Sequence, residues 1–436
     1  MIITRDILEA LKKWKTSTDR KPILIKGARQ IGKTWVMEEF GRQCYEHYVK
    51  FDFDEQQELA SVFQTTKDPH RIIKELELFC DVPLLPEKTL IIFDEIQECE
   101  EALNSLKYFC ENAPQYHIAV AGSLLGISLH HGVSFPVGKV NEIDMHPMSF
   151  GEFLLAKGEL QSYKMLADNN FEITNLLHEK YVNLLRQYYY VGGMPEAVKE
   201  YVKTGSLKEV RRIQLEILKG YERDFSKHAP QEQIERIRLV WKSIPAQLFK
   251  DNKKFIYGAL RQGARAKDFE IAIEWLIDSG VIHKVSRCTK PVLPLDIYED
   301  FSVFKLYLVD IGLLGAMVKT EPKQVLINNQ IFTEYKGGMT EEYVLQEMKS
   351  LGIEPIYYHK TDDSRLELDF VIQHNANILP IEVKAEGNVK ANSLTNLLKA
   401  NPELKAVRLS MLPYKEQEQL TCIPLYAITA LKSTEG

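Results

Sequence analysis

Lys21-Pro22-Ile23-Leu24-Ile25-Lys26-Gly27-Ala28-Arg29-Gln30-Ile31-Gly32-Lys33-Thr34 runs from a short apolar strand into a helical stretch that extends to Gln43. The last eight residues match GxxxxGK[ST] and lie between strand and helix, where that pattern works. Glycines let the backbone wrap phosphates, and N–H groups at the helix start add the positive end of its dipole. The pattern places Lys33 at the β/γ-phosphates and the Thr34 hydroxyl on Mg²⁺. It makes Gly27, Ala28, Arg29, Gln30, Ile31, Gly32, Lys33 and Thr34 the candidate nucleotide-binding set. The alternative is a glycine-containing turn with an exposed lysine.

Downstream, Tyr48–Phe53, Thr89–Phe93 and Tyr116–Ala121 are strand-like and alternate with helical stretches. Near-continuous apolar runs such as Leu90-Ile91-Ile92-Phe93 suit strands buried on both faces, so the alternation predicts a parallel sheet covered by helices. Asp94-Glu95 follows that run directly. Asp94 is expected to hold Mg²⁺ through water, and Glu95 to polarise the attacking water as general base. Two acids at a strand end also read as a strand meeting solvent; the phosphate loop upstream favours the chemical reading. Ser123 closes the next strand, where a polar residue either senses the γ-phosphate or simply makes a turn.

The chain has 436 residues, with 55 Lys+Arg against 61 Asp+Glu and a net charge of −6. At about 100–200 residues per domain this length predicts two to four domains. A hydrophobic share of 45% excludes collagen-like, low-complexity and largely disordered chains. The acidic balance gives no global case for nucleic acid, so DNA binding would need a local patch. Six scattered cysteines without a CxxC resemble those of a reducing compartment. No apolar stretch approaches a membrane span, so a cytoplasmic location without membrane partners is expected.

The boundaries expected are 1–150 for the phosphate-loop core, 151–228 for a helical lid, 229–325 for a winged-helix-like domain and 326–436 for an α+β domain. In the third, helices ending in Lys267–Leu276 precede two apolar strands, the order of a winged helix. Its Lys and Arg residues, among them Arg236, Arg238, Lys253, Arg261 and Arg265, form either a phosphate-contacting surface or a solvated helical face. In the fourth, Leu366–Gln373, the turn His374–Asn377 and Ile378–Ala385 form a hairpin. Glu382 and Lys384 share one strand face, Asp369 lies on the preceding strand, and Glu341 approaches from a helix. Carboxylates converging beside a lysine suit metal-assisted phosphodiester cleavage. The same Ile-Glu-Val-Lys alternation arises wherever one strand face is wet. Residues 330–436 hold 11 Lys/Arg against 15 Asp/Glu, which disfavours tight independent DNA binding.

These segments resemble the AAA+ and related P-loop ATPases, specifically a bacterial and archaeal family with a GxRQxGKT loop. The resemblance runs through Pro136-Val137-Gly138-Lys139, Pro147–Phe153, Val191-Gly192-Gly193-Met194-Pro195-Glu196 and Tyr307–Leu314. It ends in Lys336-Gly337-Gly338 with Glu341, Glu367-Leu368-Asp369-Phe370 and Ile381-Glu382-Val383-Lys384. It implies an ATPase module, with ATP and Mg²⁺ as cofactors, fused to a domain with a restriction-endonuclease-like PD-(D/E)XK core. DNA or a protein partner would be engaged under nucleotide control. Relatives usually carry Gly-Arg at Gly138-Lys139; lysine keeps the charge of an arginine finger without its bidentate fork. Gly193-Met194-Pro195 resembles the segment that closes over adenine, and also reads as a plain helix break.

Overall fold

A computed structural model describes residues 4–122, 136–250, 252–322, 333–362, 366–385 and 392–432. The chain divides into two compact units, one spanning Thr4–Met145 with Asp278–Gly280, the other His146–Ile277 with Val281–Gly436.

The first unit is built on five parallel strands: β1 (Ile23–Lys26), β2 (His47–Asp52), β3 (Thr89–Asp94), β4 (His117–Ala121) and β5 (Asn141–Asp144). Their order is β2-β3-β4-β1-β5. Every residue of β3 and β4 is buried, so their apolar runs are explained by helices on both faces. Phe51, Phe53, Phe63 and Phe93 interlock edge to face or tilted with centroids 5.6–6.2 Å apart, filling the core beside β3. Parallel strands end on the same side of the sheet. The C-terminal edge therefore gathers the loop after β1 and the acids after β3, the usual ligand edge of such sheets.

The second unit contains eight strands: β6 (Ile282–Cys288), β7 (Glu299–Leu308), β8 (Ile356–Lys360), β9 (Glu367–His374), β10 (Asn377–Lys384), β11 (Ala406–Ser410), β12 (Lys415–Glu416) and β13 (Leu420–Pro424). They form one sheet in the order β12-β13-β11-β10-β9-β8-β6-β7. The β6–β7 pair, expected as the strands that follow the helices of a winged helix, is the edge of this sheet: β6 pairs in parallel with β8 through Arg287↔Tyr358 and Cys288↔His359. The hydrogen-bonded ladder thus crosses residue 325, where a boundary was expected. Apolar side chains on β6 and β8 are satisfied by a longer sheet, an alternative that local patterning cannot distinguish from a hairpin alone. The β9–β10 hairpin has the expected turn, with Asn375 and Ala376 at φ 48° and 61°, the left-handed pair that fits a two-residue connection.

Helices 150–156, 160–167, 171–176, 178–191, 195–204 and 207–228 belong to this second unit. They are joined to its sheet side by a buried polar hub. Asp310 Oδ2 accepts the Gly193 N–H (2.6 Å), and Asp310 Oδ1 accepts the Leu313 N–H (2.9 Å). Met148 N donates to Gly193 O at 2.7 Å. A Cβ on Gly192 would lie 2.4 Å from Asp310 Oδ1, and one on Gly193 2.2 Å from Met148 O, so both positions exclude side chains. The Gly192-Gly193 break is therefore a close-packed junction. Of the tyrosine run, Tyr188 donates its hydroxyl to Met148 O and Tyr189 packs on Tyr343, as helix packing requires.

Burial raises the Asp310 carboxyl to about 6, against hydrogen bonds from Gly193, Leu313, Gly312 and Gln346 that pull it down. Replacing it by alanine strands two buried N–H groups at about 1–3 kcal/mol each. Asp310→Ala should therefore melt several degrees lower by differential scanning fluorimetry; a melting temperature within one degree of wild type would refute the hub.

Candidate functional site

In the first unit, β1 delivers the chain into a tight loop. Gly27 has φ 149°, and a Cβ there would meet Met145 O at 2.3 Å. Gln30 and Gly32 are left-handed at φ 65° and 93°, and Gly32 precedes the Lys33–Cys44 helix. Left-handed geometry at both turns the loop around the helix start, where free N–H groups collect. Ala28 and Ile31 are buried, holding the loop to the core, while Arg29 is half-buried and Gln30 exposed.

Lys33 Nζ donates to Gly27 O (2.9 Å) and Ala28 O (2.8 Å). Burial lowers its ammonium to about 8, opposed by Glu95 and Asp94 and reinforced by Arg29. The loop thus holds a desolvated cation that donates to carbonyls, with two carboxylates facing it. Burial raises the Asp94 carboxyl, and a hydrogen bond from the Thr34 hydroxyl opposes that shift. Glu95 is left-handed at φ 48°, an uncommon conformation for a residue with a side chain. Its Oε2 accepts from the Gln97 amide, which fixes the carboxylate. The Thr34 and Asp94 oxygens are the hard donors Mg²⁺ takes, so the residues present fit that ion.

Two neighbours were not evident from sequence. Asp52 is the register partner of Asp94 across β2–β3, and Lys50 Nζ lies 3.5 Å from Asp52 Oδ2. Asp52 and Glu95 push the Asp94 carboxyl up, and Lys50 pulls it down. Only the parallel pairing of β2 with β3 brings them there; the signal in sequence was two strands each ending in Asp. Ser123 lies outside the described residues. Lys139 is bound to Glu111 at 2.8 Å, and that contact raises its ammonium.

In the second unit, Glu341, on the Thr333–Ser350 helix, shares a buried cluster with Asp369 of β9. Glu341 Oε1 is bound by Lys253, and Oε2 by Lys305 (3.3 Å) and the Tyr307 hydroxyl (3.0 Å). Asp369 Oδ2 accepts the Val383 N–H at 2.7 Å. Glu382 and Lys384 are drawn to each other rather than left open: Lys384 Nζ is 3.2 Å from Glu382 Oε1, and Arg408 Nε donates to Glu382 Oε2 at 3.0 Å. Among the described residues, no group of three or more His, Cys, Asp or Glu side chains is placed to hold a metal ion. Lys253, Lys305, Tyr307 and Arg408 come from distant segments, and no local pattern marked them as partners of these acids.

Of the basic residues read as a phosphate-contacting surface, Arg261 and Arg265 are exposed ahead of the Ala266–Asp278 helix, which itself exposes Lys267, Glu270, Ile271 and Glu274. Carboxylates there repel a phosphate backbone. Lys284 lies 3.6 Å from Glu274. All six cysteines are free, and no helix among the described residues is long and apolar enough to cross a membrane.

The first unit has the parallel sheet and glycine loop of a P-loop nucleotide-binding fold, and residues 19–154 match the family model described as an AAA domain. Residues 182–324 and 336–429 match two different domains of unknown function (DUF8612 and DUF4143). Among solved structures, a Walker-type ATPase of Pyrococcus abyssi is 14% identical, covering 73% of this chain and 96% of its own, with TM-score 0.45. The Orc1 protein of Aeropyrum pernix in complex with DNA is 13% identical over 72% of this chain and 90% of its own, TM-score 0.26. AMPPCP-bound DnaA from Aquifex aeolicus is 14% identical over 64% and 90%, TM-score 0.26. These likenesses are too distant to carry an argument about function. Comparison with curated proteins gave no match.

Glu341 and Asp369 titrate as a pair. The two lysines hold Glu341 down, while burial and the Glu341 charge push Asp369 up to about 7. A raised carboxyl contributes stability that is present below about pH 4 and lost as pH rises through about 7. Asp369→Asn keeps the acceptor for Val383 and mimics the protonated acid. The variant should fold and lose part of the wild-type decline in melting temperature between pH 5.5 and 8.5; an unchanged slope would refute this protonation.

Proposed function

We propose that the protein binds MgATP at Gly27–Thr34, hydrolyses it, and uses its nucleotide state to govern what the second unit engages. The observation that carries this reading is Lys33: a desolvated ammonium donating to two loop carbonyls at a helix start. Phosphate oxygens suit that cation better than carbonyls do, because the hydrogen bonds become charge-assisted on both sides. The loop N–H groups and Lys33 would cradle the phosphates, and Arg29 would add positive charge at the rim. Thr34 and Asp94 would hold Mg²⁺, which neutralises phosphate charge when bound. Glu95, oriented by Gln97, would take the proton of the attacking water. Ser123, two residues beyond β4, would report on the γ-phosphate.

For the second unit the alternatives are a metal-dependent nuclease acting on DNA, at Glu341, Asp369, Glu382 and Lys384, and an inactive nuclease-like fold that engages a protein. The ion pairs favour the second. Both Glu382 oxygens are engaged by Arg408 and Lys384, and both Glu341 oxygens by lysines. A cytoplasmic ATP switch with a protein partner is the reading we adopt.

Lys33→Ala should weaken MgATP binding at least tenfold by calorimetry. Glu95→Gln should bind within about threefold of wild type but lose about 10²-fold or more of turnover, the usual scale for removing a general base. Wild-type affinity from Lys33→Ala would overturn the site. Turnover should be indifferent to DNA; stimulation by DNA would revive the nuclease reading.

The Lys33 ammonium sets the pH dependence. Bound phosphate favours the charged lysine, so above about pH 8 binding must take up a proton. The dissociation constant should be flat below that pH and rise towards tenfold per unit above it. Lys33→Arg, charged throughout, should flatten the rise; a wild-type profile that stays flat to pH 9.5 would contradict the assignment.

A further inference from the structure

The Glu341 cluster has one member unlike the others. Glu341 and Lys305 are almost wholly buried, their side chains 3% and 1% exposed, whereas Lys253 keeps 17% of its side chain in reach of solvent. Lys305 is fixed in β7 and lies over the Tyr358 ring at 4.7 Å. Lys253 instead comes from the stretch after the Ile234–Leu248 helix and binds Glu341 from there. Phe255 N, donating to Phe304 O at 2.8 Å, and Ile256 N, donating to Gln247 Oε1 at 2.6 Å, anchor that stretch beyond it.

Gly338 brings the end of the Ile234–Leu248 helix, and the stretch that carries Lys253, close to the helix that carries Glu341. A Cβ on Gly338 would lie 2.6 Å from Phe249 Cδ1 and 2.9 Å from Leu248 O. A Cβ on Gly337 would stand 3.8 Å from Lys253 Nζ. The bare backbone at Gly338 therefore lets the end of the Ile234–Leu248 helix seat against the Thr333–Ser350 helix, and Lys253, in the stretch that follows, reaches the carboxylate.

We propose that Lys253 is a built-in counter-ion that keeps the Glu341–Asp369 carboxylate pair closed to solvent cations, an inhibitory contact within the second unit. A buried carboxylate needs a cation, and losing one partner from such a pair is strongly destabilising unless another replaces it. Lys253 is the partner that can leave, because it alone reaches solvent. The species that competes for its place is a small hard cation, since the partners it leaves behind are carboxylate oxygens. This gives the inactive reading of the second unit a mechanism, and it does not lean on the ATP reading: loss of nucleotide binding in Lys33→Ala leaves it standing.

The test is Mn²⁺ binding by full-length protein without nucleotide, read by electron paramagnetic resonance and calorimetry. Wild type should show no Mn²⁺ site that Glu341→Gln abolishes. Lys253→Met, which keeps the stem and removes the charge, should gain one Mn²⁺ equivalent at least tenfold tighter than any in wild type. That gain should vanish in Lys253→Met/Glu341→Gln and be missing in Lys253→Arg. Gly338→Ala retains every charge and displaces Phe249, so it should gain the same site more weakly. A folded Lys253→Met without an added site overturns the proposal, as does a wild-type site lost in Glu341→Gln. If Lys253→Met fails to fold, Gly338→Ala decides: a Glu341-dependent Mn²⁺ site supports the counter-ion, and its lack overturns it.

Discussion

A carboxylate taken out of water must find a cation or a set of donors, and both units are arranged around that requirement. Asp94 in the first unit and Asp310, Glu341, Glu342 and Glu382 in the second are all nearly or wholly buried. Each is met by a different device. Asp94 has the Thr34 hydroxyl, Asp310 has backbone N–H groups, Glu341 has two lysines and a tyrosine, and Glu382 has Arg408 with Lys384. Glu342 accepts the Leu308 N–H at 3.0 Å on one oxygen, and burial pushes its carboxyl well above the usual range.

The Thr333–Ser350 helix shows what this does to packing. Thr340, Glu341, Glu342, Gln346 and Glu347 are all buried on it. Gln346 Oε1 accepts the Ile311 N–H at the start of the 311–317 helix, and Glu347 Oε1 accepts the Phe150 N–H at the start of the 150–156 helix. The helix thus ties two other helix starts to the sheet by meeting N–H groups that lack intrahelical partners. Apolar packing is non-directional; these bonds fix register and orientation. They bind the 150–228 helices, expected as a lid on the phosphate-loop core, into the same unit as the eight-stranded sheet.

The contrast between the two acid clusters bears on function. In the phosphate loop the cation is held by neutral carbonyls, so an incoming polyanion improves its electrostatics. In the second unit the cations already sit on carboxylates, and an incoming cation must displace one. The first arrangement suits ligand binding at little cost. The second is closed in this conformation and opens only through a change in the segment that carries Lys253.

The sequence by itself determined the first unit, because its signals are local. Apolar runs of four or five residues dictate buried strands, and GxxxxGK[ST] dictates a loop conformation that only glycine supplies cheaply at Gly27 and Gly32. The order of loop and acids along the chain then places both at one sheet edge, since parallel strands end together. The His374–Asn377 turn was legible for the same reason. Tertiary structure alone decided the rest. The pairing of β6 with β8, the seating of Gly192 and Gly193 against Asp310 and Met148, and the contacts of Lys253, Lys305 and Arg408 with acids all join residues distant in the chain. A lysine on a wet face and a lysine on a buried carboxylate read alike in one dimension. What separates them is the electrostatic cost of burial, which exists only once the chain has folded.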